Sequence, residues 1–143
     1  CSTRSAERAW GRSVELTRHA RHHRPMTRNK QTVETYMDGF RNTDRPRILS
    51  CLTDDVEWEI PGIFQAHGKA AFDAHIVDEG FTGQPAITVT RMTEENDVVV
   101  AEGSVRTQRT DGAVVNLVFC DVFEMQDGRI RRLVSYLMDV KVR

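Results

Sequence analysis

The chain has 143 residues and a mass of 16.3 kDa, and its 20 Lys and Arg against 21 Asp and Glu leave a net charge of −1, which disfavours nucleic-acid binding by bulk charge. Hydrophobic residues make up 39% and charged residues 29%, a balance that excludes a wholly disordered chain and allows one domain with a buried core. The cysteines Cys1, Cys51 and Cys120 are odd in number and widely spaced, so no disulfide framework or CxxC metal or redox motif is expected, and a reducing cytoplasm is the expected location. No apolar run approaches the roughly 20 residues of a membrane span, and no h-region follows the basic start, so neither membrane nor secretory signal is expected.

Residues 1–25 carry six arginines against Glu7 and Glu15, a surplus of four positive charges, so the remainder carries −5. This stretch is expected to be a basic, flexible leader outside the folded domain of residues 26–143. Its His19, His22 and His23 lack acidic or cysteine companions, and no metal site is expected there.

Val33, Tyr36, Met37 and Phe40 recur at i, i+3, i+4 and i+7, which predicts a helix over 27–41 with one apolar stripe. Asn42-Thr43-Asp44 and Pro46 then supply turn and capping chemistry for a short second helix holding Ile48, Leu49 and Leu52. Val56, Trp58 and Ile60 alternate with Glu57 and Glu59, the pattern of a half-buried strand that Pro61-Gly62 stops. Ala70, Ala71, Phe72, Ala74, His75 and Ile76 predict a third helix between Gly68 and Gly80. Beyond Pro85 the period becomes two, with strands expected at 86–94, 97–109, 114–125 and 129–141, joined by short polar links such as Gln126-Asp127-Gly128. Helices followed by a meander of strands predict an α+β domain in which N-terminal helices cover one face of a curved antiparallel sheet.

Asp121 breaks the pattern, because it stands within Phe119-Cys120-Asp121-Val122-Phe123, where a carboxylate loses hydration on either face. Such a group stays protonated and donates a hydrogen bond, or is ionised against a buried partner, or pairs at an edge with Arg106 or Arg132. Tyr36 carries its hydroxyl inward from the first helix, where it needs a partner or serves as a donor. His67 and His75 are candidate titrating bases, although a lone histidine is more often structural. Cys51 and Cys120 lie in apolar surroundings that favour inert thiols. No phosphate-binding glycine loop, GxSxG elbow or HExxH motif occurs, and no cofactor or metal is expected.

The order of elements, with Leu52-Thr53-Asp54-Asp55-Val56-Glu57-Trp58 and Cys120-Asp121-Val122-Phe123-Glu124-Met125-Gln126-Asp127-Gly128-Arg129-Ile130, resembles the SnoaL-like and ketosteroid-isomerase-like proteins of the nuclear transport factor 2-like superfamily. The resemblance spans residues 26–141 and implies a cone-shaped α+β fold around a deep apolar pocket, often a homodimer through the outer face of the sheet, with a small hydrophobic ligand. It also implies an oxyanion hole made by a tyrosine of the first helix and a protonated aspartic acid of the penultimate strand, here Tyr36 and Asp121. Trp58, His75, Phe119, Phe40 and Ser135 are the residues expected to hold the substrate.

Two departures narrow the chemistry. The isomerases carry a carboxylate base at the end of the first strand, where this sequence has Ile60, and neighbouring Glu59 faces inward only if a bulge turns it. The Asp-Arg-Asp set of the limonene-epoxide-hydrolase branch falls near Glu102, Ser104 and Ser135, so that arrangement is absent. The expectation is cofactor-independent proton transfer on a hydrophobic carbonyl compound, by isomerisation or polyketide-cyclase-like ring closure, with the base open among Glu59, His67, His75 and a water. The alternative is a noncatalytic ligand-binding or dimerisation module.

Overall fold

The computed structural model describes residues 26–77 and 79–141, so the expected leader and its histidines lie outside the described residues. The chain begins with helix α1 (Arg28–Arg41), whose N-cap Thr27 accepts from the Lys30 backbone N–H at 3.2 Å. Helix α2 (Arg45–Ser50) is capped by the Asp44 carboxylate and holds Pro46 in its first turn. It ends at Ser50, so Leu52, expected in this helix, opens a strand instead. Strand β1 (Leu52–Ile60), β2 (Phe64–His67), helix α3 (Lys69–Ala74) and the long strands β3 (Phe81–Glu95), β4 (Val98–Arg109), β5 (Val114–Gln126) and β6 (Arg129–Asp139) follow. Among these residues no helix is long and apolar enough to cross a membrane.

The six strands form one curved, unclosed sheet in the order β2-β1-β6-β5-β4-β3. The β3-to-β6 meander is the expected one. Its two tight turns, Asn96-Asp97 and Asp127-Gly128, have positive φ at both residues, the geometry that two-residue hairpins need to match strand twist. One pair differs from an all-antiparallel sheet: β1 runs parallel to β6, which makes the sheet mixed.

Three further differences have local causes. Pro61-Gly62 does more than end β1, because Gly62 sits at φ 81° and the Ile63 N–H donates to the Ile60 carbonyl at 2.9 Å. That turn sends β2 back along β1, with Trp58 opposite Ala66. The third helix is only six residues long, since its N-cap Gly68 offers no capping side chain and only Phe72 of its residues is buried. Strand β3 begins at Phe81, before Pro85, and the proline is accommodated because β3 is an edge strand whose register with β4 shifts between Thr82 and Ala86.

The core lies between the helices and the concave face of the sheet, where Val33, Tyr36 and Met37 of α1 and Phe72 of α3 meet Leu52, Val56, Phe123 and Leu133. Two glycines set its closest approaches. A Cβ on Gly39 of α1 would stand 2.6 Å from Ile48 Cγ1, so the first two helices pack through a missing side chain. On β4, a Cβ on Gly103 would meet the Thr88 carbonyl oxygen of β3 first and then stand 2.8 Å from Cζ of Phe119 on β5, so both neighbouring strands press on the bare backbone.

Candidate functional site

Strand alternation decides what faces the concave side. Phe119, Asp121, Phe123 and Met125 of β5 are buried there, while the residues between them are more open. Asp121 is opposite Ala101 on β4 and Ser135 on β6, and is only 8% exposed. Neither Arg106 nor Arg132 pairs with it: Arg132 turns to Glu59 and Glu124 on the other side of the sheet. The edge-pair alternative for Asp121 is therefore removed, and the carboxyl is left among apolar walls.

Its immediate partners come from β6 and, through it, β1. The Trp58 indole N–H donates to Ser135 Oγ at 3.1 Å in a buried bond. Desolvation raises the Asp121 pKa to about 7, and the Ser135 hydroxyl, at the paired position of β6, acts in the opposite direction by favouring the ionised form. Oxygen Oδ1 of Asp121 is buried with no hydrogen-bond partner among the described residues. An orphaned buried oxygen costs stability, so Oδ1 stands out as an acceptor open to a further donor.

Tyr36 faces the same space from α1, held by Phe40 and Phe123 with ring centroids at 5.0 and 5.4 Å. Burial is the main cause that raises its pKa well above the ordinary phenol value, and the nearby charges of Asp121 and Cys51 push in the same direction. Tyr36 is thus a neutral donor. The unpartnered Oδ1 of Asp121 receives no hydrogen bond from it. Trp58 is fixed by stacking on Phe72 at 4.4 Å and 24°.

These groups line a cavity of about 200 Å³ whose remaining walls are apolar. Of the residues expected at the site, Tyr36, Asp121, Trp58, Phe119, Phe40 and Ser135 all line it. His75 does not, because α3 stops at Ala74 and the imidazole stacks flat on Phe64 at 4.0 Å, in an exposed position. The other base candidates also point away. Glu59 binds Gln65 at 3.1 Å and approaches Arg132, with no bulge to turn it inward, and His67 pairs with Glu57. Ile60 lines the cavity in its place.

Sequence reasoning missed Ile87 and Val105 from the far strands and Leu117 and Leu137, which complete the walls. Leu117 and Leu137 share the parity of Asp121 and Ser135 along their strands, and that parity was the available signal. Among the described residues no group of three or more His, Cys, Asp or Glu is placed to hold a metal ion.

Comparison with known proteins bears on the fold and the family. No curated protein matches the chain. Among solved structures, a nuclear transport factor 2-like protein of unknown function from Burkholderia pseudomallei is 23% identical, covering 79% of this chain and 92% of that one with a TM-score of 0.73. An epoxide hydrolase of M. tuberculosis, described as LEH-like, is 21% identical over 79% of this chain and 84% of its own, with a TM-score of 0.70. TerC, co-crystallized with polyporic acid, is 25% identical over 76% and 90%, with a TM-score of 0.69. The pattern of the SnoaL-like domain matches residues 33–133, from the inward stripe of α1 to Leu133 of β6, and the chain belongs to the SnoaL-like domain family.

Proposed function

We propose that this cavity is the active site of a cofactor-independent proton-transfer enzyme acting on a hydrophobic carbonyl compound, by isomerisation or aldol-type ring closure. The observation that carries this reading is the unpartnered Oδ1 of buried Asp121, facing an otherwise apolar cavity with a pKa of about 7. A carboxyl poised near neutrality both takes and returns a proton, which is the demand of such chemistry. None of Glu59, His67 and His75 lines the cavity, which leaves Asp121 and a water as bases. We assign the role to Asp121, in place of the oxyanion-donor role that the resemblance implied for it, because it is the ionisable carboxyl in the cavity wall.

The substrate carbonyl oxygen accepts a hydrogen bond from the Tyr36 hydroxyl. Ionised Asp121 removes a proton from the adjacent carbon, and the electron pair moves onto the carbonyl oxygen as an enolate that Tyr36 stabilises. The enolate then takes the proton back from Asp121 at another carbon, or attacks a second carbonyl of the same molecule, whose oxygen receives that proton. The apolar walls exclude water that would otherwise solvate the enolate's partners. TerC, similar in fold, was crystallised with polyporic acid, which supports a small-molecule pocket in this family.

The competing reading is a ligand carrier without catalysis, favoured by Ile60 at the position of the isomerase base. Exchange of ketone α-hydrogens in D2O, followed by NMR, separates the two. The enzyme reading expects exchange by the wild type and its loss by about 10²- to 10⁴-fold in Asp121→Asn. Binding of the ketone with no exchange above buffer overturns it in favour of the carrier.

A further inference from the structure

We propose that the site takes an elongated ligand that runs from Asp121 into a second apolar cleft between α1, α2, the chain after α3 and the outer halves of β4 and β5. The inference rests on the proton-transfer reading for its inner end, and on separate residues for its outer end. The second cleft, about 240 Å³, shares Phe40, Pro85, Val105 and Leu117 with the Asp121 cavity, so the two spaces adjoin along four common side chains. Each alone holds only a small molecule, and the proposed ligand passes the shared side chains to occupy both.

Strand β5 gives the scale. Asp121, Phe119 and Leu117 follow one another on its concave face, and four residues of strand span about 13 Å. A ligand with its carbonyl at Asp121 and Tyr36 therefore needs a body of about 13 Å to pass Leu117 and enter the outer cleft. Among the described residues no ionisable side chain lines that cleft, and its polar side chains are Thr43 and Thr107. The matching chemistry is a neutral, largely apolar molecule with one carbonyl at the inner end and, at most, an uncharged hydroxyl or carbonyl at the outer end.

A third observation points the same way. Val77 and Phe81, which line the outer cleft, are 49% and 36% exposed, large apolar side chains left in water on either side of an apolar groove. A ligand chain lying in that groove covers them and gains their burial energy.

The test uses linear methyl ketones from hexan-2-one to tetradecan-2-one, titrated calorimetrically into the full chain. Affinity should rise by about fourfold per methylene and keep rising for members longer than about 13 Å. Val77→Trp and, separately, Thr107→Trp obstruct only the outer cleft. They should leave hexan-2-one binding unchanged and abolish the further gain of the long members; Val77 is exposed, so its variant folds even if the other does not. A rise that stops at short ketones in the wild type, or one that neither variant alters, overturns the two-part site while leaving α-hydrogen exchange at Asp121 intact. Length-dependent binding without exchange overturns the proton-transfer reading alone, and no binding by any member overturns both.

Discussion

Trp58 and Ser135 are 77 positions apart in sequence, yet the indole N–H of one donates to the hydroxyl oxygen of the other at 3.1 Å, inside the protein. The Ser135 oxygen that accepts from the indole stands across the β5–β6 pair from Asp121 and favours its ionised form against the larger effect of desolvation. The tryptophan thereby bears on the carboxyl through the hydroxyl that it holds.

Replacing Trp58 by Phe keeps the stacking on Phe72 but removes the donor. Ser135 is then free to turn away, and the Asp121 pKa should move above about 7, toward the value that desolvation alone would give. Ser135→Ala should shift it in the same direction and further. Carboxyl 13C chemical shifts followed against pH check both, and a downward shift in either variant would contradict the hydrogen-bond relay.

The same group makes stability depend on pH with a definite sign. Below the unfolded aspartate pKa of about 4 the carboxyl is protonated in both states and costs nothing. As pH rises toward the folded value of about 7, the unfolded chain ionises while the native site stays neutral, so stability is lost across that window and levels off above it. The loss is on the order of a few kcal/mol. Thermal denaturation of wild type and Asp121→Asn across this range should show the wild type falling relative to the variant, and parallel curves would remove the assignment.

Catalysis should follow the opposite slope. If Asp121 is the base, α-hydrogen exchange rises about tenfold per pH unit below about 7 and reaches a plateau above it. An exchange rate flat through neutrality would mean that another group takes the proton, and one that keeps rising about tenfold per pH unit above about 7 would assign it to bulk hydroxide.

Gly39→Ala pits two effects against each other. Alanine favours the helix by about 1 kcal/mol, but its methyl would meet Ile48 Cγ1 at 2.6 Å, and overpacking of a tight contact costs about 1–3 kcal/mol. A net loss of stability is expected by chemical denaturation. An increase would show that α2 yields at this contact.

The homodimer expected through the outer face of the sheet has a defined surface to use. Met138, Tyr136 and Val118 are 67%, 53% and 42% exposed, and the register places Val118 beside Met138 and Cys120 beside Tyr136. Met138→Lys combined with Tyr136→Glu should convert a dimer to monomer in sedimentation analysis. A wild type that sediments as a monomer at micromolar concentration would dispose of the expectation.

What the sequence made legible follows from how local each signal is. Period-two alternation exposed Asp121 as a carboxyl in a buried strand, and helical spacing put Tyr36 on the inward stripe of α1; both signals lie within a few residues. The Trp58–Ser135 bond needed the parallel pairing of β1 with β6, strands at opposite ends of the domain, and no local pattern encodes that. His75 was misplaced for the same kind of reason, since an apolar run continued past the point where α3 loses its contacts and ends at Ala74. The β2 strand was written in Pro61-Gly62, a turn read only as a stop.

The bare backbone at Gly103 reaches further than packing. There a Cβ would strike the Thr88 carbonyl oxygen of edge strand β3 before it reached the Phe119 ring, and that ring also lines the Asp121 cavity. Any residue other than glycine at 103 would therefore press on β3 and on the cavity wall together. A single hydrogen atom on β4 thus keeps the outermost strand seated and the chamber in shape at once.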